Sequence, residues 1–162
     1  MKIVSDTGPI IGLAKIGKII LLKNIADEVI IPPMVYKELF GKTGPESKEI
    51  DQALNSFIMV KIDIDVEEAT KIELAGLGEG EKQAIGLASR LDNDVILLLD
   101  DRAGREVAAR LNIFTTGLIG LLLVAKEKGL VESVGTLIKE LRNNGYWLSD
   151  DIMKTAIKLA GE

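Results

Sequence analysis

The chain reads as an α/β protein, a three-layer α/β/α sandwich on a parallel sheet, and three observations carry that expectation. Short apolar, β-branched runs alternate with helical patterns from end to end of the 162 residues. The strongest run, DVILLLDD at 94–101, is apolar without a break, as in a strand buried on both faces of a parallel sheet. No repeat, low-complexity tract or linker divides the chain, so one domain over 1–162 is expected, its crossovers right-handed.

The elements follow in order. KIVS opens as a short strand, and DTGPIIGLAKIG turns into a helix that Asp6 or Thr7 can cap, with Pro9 tolerated in the first turn. A second helical stretch runs from Lys18 to Ile25, EVII is a strand stopped by Pro32 and Pro33, and MVYKELF is a helix ended by Gly41. After the polar loop GKTGPESKE comes a helix near Lys48 to Ser56, then the β-branched strand FIMVKIDI. An acidic helix from Glu67 to Leu74 and the link GLGEGE precede the helix EKQAIGLASRL and the strand at 94–101. GREVAARL is a helix, NIFTT a short strand and GLIGLLLVAKEKGL an apolar helix. The remainder, about 130–162, is a helical C-terminal extension of two amphipathic helices that covers the sheet or pairs with another subunit.

Composition removes many chemistries. With 0 His and 0 Cys the chain has no Ser-His-Asp triad, no thiolate nucleophile, no disulfide and no sulfur-based zinc site. If the chain does chemistry, carboxylates and a hard metal ion are its leading agents. The net charge of -5 argues against indiscriminate binding of polyanions, although Arg102, Arg105 and Arg110 place local positive charge after Asp101. The start, MKIVSD, has no secretory pattern and no apolar run approaches the roughly 18 residues of a membrane span, so a cytoplasmic location without membrane partners is expected.

Asp6, Glu38, Glu81 and Asp101 each stand where an apolar run gives way to a turn or helix. In a parallel sheet Asp6 and Asp101 fall on the same carboxyl edge, where ligand sites of such folds lie. Glu81 shares a helix face with Ala84, Ile85 and Ala88 and so projects toward the sheet, which favours it over Glu79. Glu38 follows Val35 by three positions, on or beside the buried stripe of its helix. Neighbouring strand residues point to opposite faces; Asp101, at the very end of the strand, is preferred, and Asp100 stays as an alternative ligand. Close carboxylates repel by about 4 kcal/mol at roughly 4 Å and an effective dielectric near 20, so a divalent cation among them is the natural compensation. Mg²⁺ and Mn²⁺ suit an all-oxygen site.

Other motifs carry nothing. Gly41-Lys42-Thr43 lacks the earlier glycine of a phosphate-binding loop, having Tyr36 in its place, GLGEGE lacks dinucleotide-fingerprint spacing, and DIDVEE lacks the calcium-loop glycine. Tyr146 and Trp147 read as packing aromatics rather than a base-stacking platform.

Together SDTGPIIGLAKIG, EVIIPPMVYKEL, GLGEGEKQAIGLA and LLLDDRAGREVA resemble the PIN-domain superfamily, in particular its small prokaryotic members that begin S-D-T-x-P, including VapC-type toxins. The resemblance runs over nearly the whole chain. It implies a Rossmann-like α/β/α fold, an acidic cluster binding Mg²⁺ or Mn²⁺, and cleavage of RNA, often by the toxin of a toxin-antitoxin pair with an antitoxin protein as partner and a homodimer as assembly. By motif match Asp6, Glu38, Glu81 and Asp101 are the acids.

A metal-dependent endoribonuclease is therefore the leading expectation, with Thr7 orienting Asp6 and with Arg102 and Arg105 as substrate contacts. Two rivals stand beside it. A non-catalytic PIN-like module that binds nucleic acid or protein is motivated by Leu99, where the family commonly has Thr or Ser, by Gly8, and by the isoelectric point of about 4.9. Phosphatase chemistry on a small substrate at the same acids is the other.

Overall fold

The computed structural model describes residues 1–91 and 94–162. Its elements are β1 (Lys2–Ser5), α1 (Thr7–Lys15), α2 (Ile20–Ile25), β2 (Glu28–Ile31), α3 (Pro33–Phe40), α4 (Ser47–Leu54) and β3 (Ile58–Val60). Then come α5 (Glu68–Leu74), α6 (Glu79–Arg90), β4 (Val95–Leu98), α7 (Arg102–Arg110), β5 (Thr115–Thr116), α8 (Leu118–Glu127), α9 (Val134–Asn143) and α10 (Asp150–Leu159). The strands form one sheet in the order β3-β2-β1-β4-β5, every neighbouring pair parallel. This is the expected three-layer α/β/α sandwich.

Strand alternation sorts the apolar residues into two cores. Ile3, Val29, Ile31 and Leu98 join the layer of α1, α2, α3, α4 and α8, whereas Val4, Ile30, Leu97 and Leu99 join that of α5, α6 and α7. Each fully buried Leu or Ile contributes about 2–3 kcal/mol, so a one-residue slip of a strand would expose a whole row of them. Val134, Leu137, Ile138 and Leu141 of α9 bury into the first core, so this helix packs within the body of the domain.

Among the boundaries that differ from the sequence reading, two bear on the site and its surroundings. The strand expected over FIMVKIDI has only three residues, Ile58–Val60, because β3 is an edge strand and the chain turns away after Lys61 donates to the Ile31 carbonyl. Val66 then packs on α6, where the position of a Cβ at Gly86 lies 2.8 Å from Val66 Cγ2. The helix expected from Glu81 begins at Glu79, its first turn closed by the Glu81 carboxylate, which accepts the Gly78 amide at 3.2 Å.

Strand order reverses between β1 and β4, and there the carboxyl ends of both meet: Ser5 stands beside Leu98, and the Asp6 amide donates to the Leu98 carbonyl at 3.0 Å. Helices departing from such a point diverge to opposite faces and leave a crevice.

Candidate metal centre at the carboxyl edge

Asp6 leaves β1 in extended backbone (φ -79, ψ 172) and precedes α1 without capping it through its side chain. The expected side-chain cap does not form, since the Thr7 hydroxyl instead donates to Glu38 Oε2 at 2.5 Å. Glu38 is therefore held from α1, by a residue 31 positions earlier in the sequence. The Asp6 carboxyl is pushed up to about 6, chiefly by burial, against the opposing hydrogen bond from the Thr7 backbone; the charges of Glu81, Glu38 and Asp100 push it further. These four acids form one electrostatic group.

Glu81 reaches this group from the first turn of α6, where its Oε2 accepts from the Gly78 amide at 3.2 Å. The same helix is pinned to α3 through Gln83, whose Oε1 accepts the Met34 amide at 2.8 Å, so the elements carrying Glu38 and Glu81 are held together. Between Glu79 and Glu81 sits Gly80, and a Cβ there would lie 3.0 Å from Glu38 Oε1 and 3.4 Å from Asp6 Oδ1. The missing side chain leaves open the space in front of both carboxylates. Glu79 pairs instead with Lys82 at 3.1 Å on the exposed side of α6.

Asp100 and Asp101 part company. Asp101 is exposed and caps α7, its Oδ2 accepting the Gly104 amide at 2.7 Å, and it is not among the charges that raise Asp6. Asp100 is, and its two oxygens are taken by the Leu118 amide at 2.8 Å and by the Tyr146 hydroxyl. The physical reason is strand parity. Leu97 and Leu99 face the α6 and α7 side, so Asp100 continues the row of Leu98 toward α1 and α8, while Asp101 is drawn into the turn that starts α7. The carboxylates whose charges act on Asp6 are thus Glu81, Glu38 and Asp100, and Asp101, the preferred residue of the pair in the sequence reading, is turned into the cap of α7 instead.

The basic residues also separate. Arg102 is exposed and paired with Glu106 at 3.1 Å. Arg105 stays beside the site: its Nη1 lies 3.4 Å from the position of a Cβ on Gly117, and its charge acts on the Tyr146 hydroxyl. Sequence reading missed Gly80 and Tyr146. The alternation G-E-G-E marks Gly80 only once the helix is known to begin at Glu79, and nothing local marks Tyr146, which arrives from 46 residues beyond Asp100. Its neighbour Trp147 is 81% exposed rather than packed.

A hard divalent cation fits this donor set in chemistry. All the donors are carboxylates, the charges of Glu81, Glu38 and Asp100 raise the proton affinity of Asp6, and Gly80 leaves room before two of them. Among the described residues no three acidic side chains converge closely enough to chelate an ion by themselves. No helix among them is long and apolar enough to cross a membrane.

Comparison with known proteins places the chain in a family. The model of the family DUF3368, described as a PIN domain, matches residues 2–162. No curated protein and no solved structure matches the chain. With a parallel α/β/α sandwich, carboxylates at its strand-order reversal and a family match from Lys2 to Glu162, the chain belongs to the PIN-domain family, whose fold is of the nuclease type.

Proposed function

We propose that the protein is a metal-dependent endoribonuclease that hydrolyses RNA phosphodiester bonds at the crevice between β1 and β4. The observation that carries this reading is Asp6, a carboxyl raised to about 6 at the carboxyl end of the first strand, with Glu81, Glu38 and Asp100 around it. Such a group is an unfavourable place for four negative charges and a favourable one for a cation.

Asp6, Glu38, Glu81 and Asp100 would hold Mg²⁺ or Mn²⁺, with water completing the shell, as these ions commonly retain several waters. The ion, when bound, activates a water and neutralises charge on the scissile phosphate. The chain's own contribution is orientation. Thr7 fixes Glu38, the Gly78 amide fixes Glu81, and Arg105 supplies positive charge beside the site for an incoming phosphate.

Purified protein should cleave single-stranded RNA in Mn²⁺ or Mg²⁺ and stop in chelator, while phosphomonoesters remain intact. Turnover of the monoester without RNA cleavage would favour small-substrate phosphatase chemistry. Absence of both would favour a binding module that has lost catalysis.

A further inference from the structure

Tyr146 lies in the turn between α9 and α10, remote in sequence from every acid of the centre, yet its hydroxyl donates to Asp100 Oδ2. The other oxygen of that carboxylate accepts the Leu118 amide at 2.8 Å. Two donors on two oxygens fix both the direction and the twist of a carboxylate, which a single bond does not. The route of the ring is also built. A Cβ at Gly12 would lie 2.7 Å from Leu118 Cδ2 and 3.4 Å from Tyr146 Cδ2 and Cε2, so the bare backbone of α1 admits Leu118 and the phenol ring side by side. Gly145, at φ +88, makes the turn that aims it, and buried Leu148 anchors the chain on the far side. A ring present only to fill space would have no need of its hydroxyl at that end.

We propose that Tyr146 is a positioning residue, holding Asp100 with the Leu118 amide in the orientation that serves the acidic centre, so that the turn between α9 and α10 is a working part of the site. This rests on the reading of the centre as a metal site. Partners one bond removed from a metal ligand typically cost roughly 10–100-fold in affinity or activity when removed.

The test uses the full chain, with Mn²⁺ affinity by calorimetry, thermal unfolding in chelator, and RNA cleavage kinetics. Tyr146→Phe should weaken Mn²⁺ binding by roughly tenfold or more and lower kcat with KM for RNA little changed. In an Asp100→Asn background the same substitution should have no further effect on Mn²⁺ affinity, because Tyr146 acts through Asp100. Parental Mn²⁺ affinity in Tyr146→Phe, or an undiminished effect in the Asp100→Asn background, would overturn the assignment.

Should Tyr146→Phe fail to fold, the unaltered sequence carries a second measurement. It has 2 Tyr, so fluorotyrosine labelling gives a resolved ¹⁹F signal for Tyr146, assigned through Tyr36→Phe. That signal should move on saturation with Mg²⁺, and a stationary signal would overturn the proposal. Asp6→Asn separates the two levels: if it abolishes Mn²⁺ binding while Tyr146→Phe leaves it intact, only the role of Tyr146 falls. If neither substitution affects Mn²⁺ binding, the metal-site reading falls and the role of Tyr146 with it.

Discussion

The Thr7 hydroxyl donates to Glu38 Oε2 across 2.5 Å, tying the first turn of α1 to α3. Thr7 is 9% exposed while Glu38 is exposed, so only the donor end of the bond is sheltered from competing water. A hydrogen bond to a charged acceptor contributes about 1.5–3 kcal/mol. Thr7→Val keeps the shape and deletes the donor. It should destabilise the protein by about that amount in chemical denaturation, and it should weaken Mn²⁺ binding because Glu38 is set free.

Asp6 works against the fold that holds it. Its folded carboxyl is raised to about 6 from the ordinary 3.8, so the native state binds more protons than the unfolded one between those values. Stability contributed by protonated Asp6 is therefore present below about pH 4 and is lost as pH rises through about 6. The loss is on the order of 2–3 kcal/mol at neutral pH, since a tenfold change in proton affinity corresponds to about 1.4 kcal/mol. In chelator, Asp6→Asn should be more stable than the parent at pH 7.5, and the gain should shrink toward pH 4. Urea denaturation at the two pH values checks this.

Gly80 makes the opposite kind of prediction. At the second position of α6, alanine is the better helix former by about 1 kcal/mol. Its methyl would stand 3.0 Å from Glu38 Oε1 and 3.4 Å from Asp6 Oδ1. Gly80→Ala should therefore leave the melting temperature unchanged or raised while it weakens Mn²⁺ binding. A loss of stability with unaltered affinity would show that the space before the carboxylates is not used.

The neighbouring acids at the end of β4 can be told apart by what each substitution damages. Asp101→Ala removes the cap of α7 and should cost about 1 kcal/mol of stability while Mn²⁺ affinity stays near the parental value. Asp100→Asn should weaken Mn²⁺ binding. Calorimetry and thermal unfolding on both variants separate the two roles.

Much of this was legible in the chain. The unbroken apolar run before Asp100 announced a doubly buried strand, and the helix spacing of Glu81 with Ala84, Ile85 and Ala88 gave it its inward direction. Local periodicity settles such matters because a helix face or a strand row is defined by its own neighbours. Parity at the end of β4 is different. Both Asp100 and Asp101 are compatible with the same strand, and the outcome depends on which layer holds α8, whose Leu118 amide takes Asp100. Tyr146 depends on a contact between the two ends of the fold, against the bare backbone of α1, which only the tertiary arrangement creates. The strand β3 was legible but its shortness was not, because its residues have β-forming side chains while the sheet offers them a partner on one side only.

The role proposed for the carboxylates around Asp6 is to cut RNA with a metal ion. Its most direct test is cleavage of an end-labelled RNA by parent and Asp6→Asn, each purified to the same folded state, over a series of Mn²⁺ concentrations. The parent should cut in proportion to Mn²⁺ occupancy and the variant should not cut at any concentration. Equal cleavage by the two proteins would rule that role out.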